Sequence, residues 1–138
     1  MPDKVFLDTN ILIYAYSKDE VKKQSIANNA LETYGENIVI SKQVINELVN
    51  VLFKKFKLSS NTIENAILEL DTFMPIVDFD LTTQIKALHL KERYNFQYYD
   101  ALIVATALES GCTILLSEDM QDQQVIENTL TIINPFKK

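Results

Sequence analysis

The stretch Lys4-Val5-Phe6-Leu7-Asp8-Thr9-Asn10-Ile11-Leu12 defines the first strand, turn and helix of this chain. Residues 4–7 form a short apolar run that predicts a buried strand, and Asp8-Thr9-Asn10 has the composition of a turn leading into a helix. Further short strands are predicted at 37–40, 76–79, 113–116 and 131–133. Strands of this length that alternate with helices predict an α/β fold, a sandwich of helices on both faces of a short-stranded, mainly parallel sheet.

Apolar residues recurring at helical spacing predict the helices between these strands. After the first short helix, they cover 19–34, 42 to about 57, 60–73, the segment after Asp80, and 100–109. The first of these is expected to be capped near Ser17 or Asp19, whereas Ser41 and Ser59 or Ser60 suit the N-caps of the next two. Gly35 and Gly111 suit helix stops.

Composition indicates one globular domain over residues 1–138. A single cysteine excludes an internal disulfide and a cysteine-rich zinc site. The N-terminal apolar run is too short for a signal peptide or a membrane span, so we expect a cytoplasmic protein with no membrane partner. The net charge of -6 is unusual for a protein that binds nucleic acid.

Four acidic residues lie where predicted strands give way to loops or helices. Asp8 and Asp119 follow strand ends, and Glu47 and Asp100 lie in the opening turns of helices. A buried acid loses water and resists ionisation unless a cation or a donor compensates. In parallel sheets, ligands bind beyond the carboxyl ends of the strands, and the four acids can converge at that edge. Because Mg²⁺ and Mn²⁺ prefer oxygen ligands, the pattern predicts a divalent-metal site.

Each acid also has a purely structural interpretation. Asp8 fits an Asx turn, Asp100 fits a helix N-cap, and Asp119 fits a turn after a strand. Glu118 and Asp122 are close enough in sequence to compete for the role of Asp119. Glu47, the fourth acid, lies at the margin of the apolar face of its helix, where an acidic residue can also occur by chance.

Two groups of side chains offer contacts for a nucleic acid. Lys54, Lys55 and Lys57 form a local positive cluster, which either contacts phosphates or complements the negative end of a helix dipole. Tyr98 and Tyr99 have rings that can stack on bases, or they are residues of the core or its rim.

In order and spacing, four motifs resemble those of the PIN-domain ribonucleases, and within them the toxins of type II toxin–antitoxin pairs. The resemblance spans nearly the whole chain. It rests on Phe6-Leu7-Asp8-Thr9-Asn10-Ile11-Leu12, Asn46-Glu47-Leu48, Tyr99-Asp100-Ala101-Leu102-Ile103-Val104-Ala105-Thr106-Ala107 and Leu116-Ser117-Glu118-Asp119-Met120-Gln121-Asp122.

The resemblance implies an α/β/α sandwich and Mg²⁺- or Mn²⁺-dependent cleavage of single-stranded RNA. It also implies a homodimer and an antitoxin that blocks the site. The matching metal-site and catalytic acids are the four named above, and Thr9 and Ser117 match small hydroxyl positions beside them. Related chains often have glycine where this one has Gln123, which makes the last loop a point of departure.

Phosphodiester cleavage needs a nucleophile and a sink for negative charge, and one or two metal ions would supply both. A response-regulator receiver would need paired acids after the first strand and a lysine before a late proline, but Asp8 stands alone and Asn134 precedes Pro135. An Asp-x-Asp phosphatase is excluded because Asn10 stands two residues after Asp8. A catalytically inactive RNA- or protein-binding module with the same fold remains the alternative.

Overall fold

The computed structural model describes residues 3–137, which form six strands, six α-helices and one 3₁₀ turn. In chain order these are β1 (Val5–Leu7), α1 (Thr9–Tyr16), α2 (Val21–Tyr34), the 3₁₀ turn (Gly35–Asn37), β2 (Ile38–Ser41), α3 (Lys42–Lys54), α4 (Ser60–Phe73), β3 (Ile76–Val77), α5 (Leu81–Tyr94), α6 (Tyr98–Glu109), β4 (Ile114–Leu116), β5 (Val125–Ile126) and β6 (Leu130–Ile133).

The strands form one sheet in the order β3-β2-β1-β4-β6-β5. All neighbouring strands are parallel except β5 and β6. β1 and β2 are buried along their whole length, as expected for strands covered on both faces by helices. The predicted fold class, a helix-flanked and mainly parallel sheet, is therefore confirmed.

The sheet reverses its direction of growth beside β1. From β1 the chain adds β2 and β3 on one side, and it then returns to place β4 and β6 on the other. The connections that leave β1 and β4 therefore diverge at their carboxyl ends. In open α/β sheets this topological switch point forms the crevice in which ligands bind. Leu7 of β1 pairs with Leu116 of β4, so both strands end level at the crevice.

Most predicted helix boundaries are observed within a few residues. Ser41, Ser59 and Asp80 cap α3, α4 and α5 through side-chain hydrogen bonds. Two boundary predictions were wrong. α2 starts after Glu20, which makes no side-chain cap bond, so neither Ser17 nor Asp19 caps it.

The predicted end of α3 near Lys57 was also wrong. The helix ends at Lys54, and Lys57 has a left-handed backbone with φ of 55°. Apolar residues continue at helical spacing beyond this end, because Phe56 and Leu58 pack on the core from the loop. Packing alone therefore does not distinguish helix from loop here.

Strand β5 was not predicted, because Val125 and Ile126 are an isolated apolar pair among polar residues. It forms an antiparallel hairpin with β6 through a turn at Glu127 and Asn128, both with positive φ. Positive φ at both central residues is the geometry that matches the twist of the flanking strands. In the preceding loop, Gln123 also has a positive φ, of 69°, and its N–H donates to Ile132 O at 2.7 Å.

Helix α5 presents an apolar stripe to the surface. Leu81, Ile85 and Leu88 are exposed, whereas Thr83 and Ala87 are buried against the fold. Leu81 is 71% exposed. Between residues 3 and 137, the structure contains no helix with the length and hydropathy of a membrane span.

Candidate active site

Asp8 lies in the crevice at the end of β1, where it is both the N-cap of α1 and a buried acid. One carboxylate oxygen, Oδ1, accepts a hydrogen bond from the N–H of Thr9 at 2.8 Å. The other, Oδ2, accepts one from the Ser117 hydroxyl at 2.7 Å. Asp8 is therefore a helix N-cap, and this structural role is compatible with a place in an acidic site.

The surroundings of Asp8 disfavour its ionised form. Burial is the main cause, and the negative charges of Asp100 and Glu47 add to it, whereas the hydrogen bonds from Ser117 and Thr9 oppose it. Together they raise the pKa of Asp8 from 3.8 to about 6. An acid with such a pKa, in a crevice and beside other acids, is a candidate functional group.

Glu47 reaches the same place from the second turn of α3. Its Oε1 accepts a hydrogen bond from the Thr9 hydroxyl at 2.5 Å. Its Oε2 accepts one from Nε2 of Gln43, one turn earlier on α3, at 3.3 Å. The margin of the apolar face of α3 therefore lies beside the carboxyl end of β1, and hydrogen bonds hold both carboxylate oxygens of Glu47 there.

Asp100 occupies the first turn of α6, but it does not cap the helix. The N-cap is Gln97, so the N-cap interpretation of Asp100 was wrong. Because α6 runs antiparallel to β4, its N-terminal turn lies at the carboxyl edge of the sheet. Burial of the half-buried carboxyl raises its pKa, and the negative charges of Asp119 and Glu47 raise it further.

Asp119 follows β4 and completes the group from the exposed side. Its Oδ2 accepts a hydrogen bond from Nδ2 of Asn10 at 3.1 Å, and its N–H donates to Ser117 Oγ at 3.3 Å. Ser117 therefore contacts both Asp8 and Asp119, and Asn10 joins the start of α1 to the loop after β4.

The two acids that competed with Asp119 are engaged elsewhere. Glu118 accepts hydrogen bonds from Tyr14 at 2.6 Å and from Lys23 at 2.5 Å. Burial opposes its ionisation, but these two bonds outweigh burial and lower its pKa. Asp122 accepts a hydrogen bond from the N–H of Asn134 at 2.8 Å. Both therefore hold the loop around Asp119.

The four acids form a negative centre without a positively charged side chain bound to it. Four ion pairs occur among residues 3–137, and none includes Asp8, Glu47, Asp100 or Asp119. The nearby cation Lys23 is bound to Glu118. Hydrogen bonds from Ser117 and Thr9 therefore offset only part of the burial and repulsion at Asp8, and a divalent cation would relieve the rest.

The donor set suits Mg²⁺ or Mn²⁺, because it consists of carboxylate oxygens. In the described part of the chain, however, no three acidic, histidine or cysteine side chains are arranged to ligate one ion as they stand. Hydrogen bonds from Thr9 and Asn10 hold the carboxylates of Glu47 and Asp119 instead. Ligation of one ion by three or more of these acids would therefore require their carboxylates to move from the observed positions.

The lysine cluster lies away from this centre. Lys54 and Lys55 are at the C-terminal end of α3, and Lys57 is in the loop beyond it. At 1.5 Å per residue, Lys54 is roughly 10 Å further along the helix axis than Glu47. All three side chains are exposed and are absent from the ion pairs of the described residues.

Two residues of the site were missed from the sequence. Gln43 contacts Glu47, and Asn10 contacts Asp119. The signal for Gln43 was its spacing, because residues four apart on a helix are neighbours. Asn10 carried no comparable signal, since its partner lies 109 positions further along the chain.

The PIN domain family model matches residues 5–125. A search of curated protein sequences found no match. Among solved structures, the chain is similar to a chain of a toxin–antitoxin complex from Klebsiella pneumoniae, with a TM-score of 0.72 and 25% identity over 97% of this chain and 99% of that one.

Two further solved structures share the fold. VapC20 of Mycobacterium tuberculosis, described as a sarcin-ricin loop cleaving toxin, aligns with a TM-score of 0.66 and 15% identity, over 80% of this chain and 86% of that one. A chain of VapBC2 from Rickettsia felis, bound to a promoter DNA fragment, aligns with a TM-score of 0.64 and 22% identity, over 93% and 96%.

Proposed function

The chain belongs to the PIN domain family, and we propose that it is a divalent-metal-dependent endoribonuclease that cleaves single-stranded RNA as the toxin of a toxin–antitoxin pair. One observation carries the proposal: four carboxylates from four separate segments lie near enough at this edge of the sheet for their charges to raise the pKa values of Asp8 and Asp100, and no ion pair of the described residues neutralises them. Such a centre costs stability unless it binds a cation.

In this proposal Asp8, Glu47, Asp100 and Asp119 hold Mg²⁺ or Mn²⁺. A bound ion supplies Lewis-acid stabilisation of the phosphate and a water of lowered pKa. Without metal, Ser117 holds Asp8 and Thr9 holds Glu47 at this edge of the sheet, and a bound ion would compete with these donors for the carboxylate oxygens. In the metal-free protein, burial raises the pKa of Asp8 to about 6, and a bound cation would lower it again by stabilising the carboxylate.

An exposed aromatic ring beside the acids favours RNA as substrate. Tyr99 immediately precedes Asp100 and is 68% exposed, and it packs edge-on against Tyr98 with ring centroids 5.7 Å apart. The exposed ring of Tyr99 offers a surface on which a base of a single strand can stack. Stacking of this kind is tolerant of sequence and suits single strands.

Cleavage of a fluorescent single-stranded RNA, with Mn²⁺ and then with EDTA, tests the activity. We expect the wild type to cleave the RNA only when metal is present, and we expect Asp8→Asn to lack this activity. Asp78→Asn is a matched control, because Asp78 is exposed and pairs with Lys42 outside the site. If the folded wild type binds RNA and leaves it intact across a range of metals, the chain is the inactive binding module instead.

An apolar groove supports the antitoxin as partner. It has a volume of about 700 Å³, lies between α1, α2 and the end of α4, and opens beside Phe73, which is 70% exposed. Glutamates line it together with apolar side chains, so its chemistry fits an amphipathic segment carrying basic residues. The residues that define it are Leu31, Phe73, Met74, Glu32, Glu36 and Glu69.

Co-expression with the product of the adjacent reading frame tests this partner. We expect that protein to bind the chain and suppress cleavage. Phe73→Glu should weaken the complex while leaving cleavage by the isolated chain unchanged, because Phe73 is remote from the acids in the sheet topology. If the product of the adjacent reading frame binds neither the wild type nor Phe73→Glu, the proposal of a toxin loses its support.

We further propose a single nuclease domain over residues 1–138 that acts as a homodimer in the cytoplasm. The exposed stripe of Leu81, Ile85 and Leu88 on α5 is apolar surface that a second copy would cover. Sedimentation equilibrium of the wild type and of Leu88→Lys measures this directly. A wild type that is monomeric at micromolar concentration contradicts the dimer.

A further inference from the structure

Gln43 is a buried polar side chain that no motif of the site includes. It lies in the first turn of α3 and is 6% exposed. Its Nε2 donates to Glu47 Oε2 at 3.3 Å and to the backbone carbonyl of Tyr99 at 3.0 Å. One amide group therefore links a candidate metal ligand on α3 to the residue that precedes Asp100 on α6.

The orientation of this amide is fixed by its neighbours. Both atoms facing Nε2 are acceptors, so exchanging the amide's oxygen and nitrogen would bring acceptor against acceptor. In the observed orientation, Gln43 Oε1 is buried and has no hydrogen-bond partner among the described residues. A buried acceptor without a donor destabilises a fold. The amide is therefore buried with its nitrogen satisfied by two acceptors and its oxygen unsatisfied.

The amide does join three elements of the site. The hydrogen-bonded chain runs from the Thr9 hydroxyl through Glu47 and Gln43 to Tyr99 O, and thus from α1 to α6. Thr9 follows Asp8, and Tyr99 precedes Asp100. The spacing between three of the four acids accordingly depends on this chain. A cation site needs such fixed spacing, because ligand geometry determines metal affinity.

We propose that Gln43 is a positioning residue, which sets Glu47 relative to Asp8 and Asp100 for binding of a divalent cation. This inference rests on the proposed function, since it assigns a residue to that same site. Its distinguishing consequence is that metal affinity falls by more than any change in the stability of the metal-free fold explains. A residue that only packs would lower both stability and yield when replaced, with metal affinity unchanged.

The test is Mn²⁺ binding by Gln43→Met, measured by calorimetry, together with melting in EDTA. We expect the Kd for Mn²⁺ to rise about ten- to hundredfold, as for loss of other groups that orient ligands. The melting temperature in EDTA should change little, because Gln43→Met removes the unpaired acceptor together with the donor to Glu47 and Tyr99 O. RNA cleavage should require correspondingly more Mn²⁺, with a smaller loss at saturating metal.

Gln24→Met is the matched control. Its Nε2 donates to the carbonyl of Ala15 at 3.2 Å, and this bond lies outside the chain from Thr9 to Tyr99. We expect a small change in melting temperature and an unchanged Kd for Mn²⁺. A Gln43→Met protein that melts lower and binds Mn²⁺ like wild type overturns the inference while leaving the proposed nuclease intact.

Wild-type protein provides a measurement that does not depend on the folding of a variant. In spectra of ¹⁵N-labelled chain titrated with diamagnetic Mg²⁺, the side-chain amide of Gln43 should shift with the binding curve, and that of Gln24 should not. A Gln43 amide that stays still while backbone amides of the site move overturns the inference. A wild type that binds neither Mg²⁺ nor Mn²⁺ overturns the proposed function and this inference with it.

Discussion

Asp8 and Ser117 are joined by a 2.7 Å hydrogen bond although 109 positions separate them in the chain. The bond lies at the carboxyl ends of β1 and β4, which are adjacent in the sheet. The backbone extends the same contact, since the N–H of Asp8 donates to Leu116 O at 2.9 Å. Pairing of the strands therefore brings the two acid-bearing loops together.

Divalent metal should stabilise the fold, because the four carboxylates are uncompensated by cationic side chains. At about 100 times its Kd, a ligand adds roughly 2.7 kcal/mol to the free energy of unfolding. Thermal melts with Mn²⁺ or Mg²⁺, and with EDTA, measure this gain. An unchanged melting temperature at millimolar metal would count against a metal site formed by these acids.

Asp100→Asn should preserve the fold and abolish cleavage. Gln97 is the N-cap of α6, so the helix start does not depend on Asp100. Loss of a ligand charge should lower activity by more than about 100-fold, since even groups that only orient ligands are worth 10- to 100-fold. Without metal, the variant should melt higher than wild type, because one repelling carboxylate is gone. Near-normal cleavage at limiting metal would refute the assignment of Asp100.

Stability without metal should fall as the pH rises through the range in which Asp8 ionises. The pKa of Asp8 is raised by burial to about 6 in the folded state, against 3.8 in the unfolded chain. Between pH 4 and 6 the folded state therefore binds more protons, and the free energy of unfolding declines with pH. The full effect is about 3 kcal/mol, at 1.36 kcal/mol per pKa unit.

Urea titrations of wild type and Asp8→Asn in EDTA, at several pH values, isolate this contribution. The difference between the two proteins should be small near pH 4 and should favour Asp8→Asn increasingly up to pH 7. Parallel curves would mean that Asp8 ionises normally. With Mn²⁺ present the wild-type trend should reverse, because metal competes with the proton for the carboxylate.

Gln123→Gly should stabilise the chain by roughly 0.5–1 kcal/mol. A left-handed backbone costs a residue with a side chain about 1–2 kcal/mol, and glycine returns part of the gain through its more flexible unfolded state. Gln123 has such a backbone, with φ of 69°, whereas Gln124 does not. Gln124→Gly is therefore the control and should destabilise. The urea midpoints of Gln123→Gly and Gln124→Gly test this prediction. If both variants are destabilised, the backbone at Gln123 is not strained.

Replacing Lys54, Lys55 and Lys57 with Gln should weaken RNA binding and flatten its salt dependence, because phosphate contacts release counterions. Cleavage at saturating RNA should be unchanged, since Lys54 lies roughly 10 Å along α3 from Glu47. Binding measured by fluorescence anisotropy at several salt concentrations tests this. Unchanged affinity and slope would leave Lys54 and Lys55 as partners of the α3 dipole.

The sequence by itself determined the elements and the candidate acids. Hydrophobic periodicity and capping residues located the six helices and five of the six strands of the described residues. Both are local signals, because they reflect burial of one face and hydrogen bonding at helix ends. The apolar stripe on α5 predicts a helix but does not predict what that helix faces. Leu81 and Leu88 predicted the helix correctly, but they face outwards in the fold. Periodicity reports that a helix has an apolar face, and tertiary packing decides what covers it.

Only the tertiary structure decided how the acids are held. That Glu118 binds Lys23 and leaves Asp119 in the crevice depends on contacts between residues about 95 positions apart. The link from Glu47 through Gln43 to Tyr99 likewise joins two helices that are distant in sequence. Such contacts follow from strand order and crossover direction, which place the ends of β1 and β4 side by side. Local sequence carries no record of which distant loop will lie within hydrogen-bonding distance.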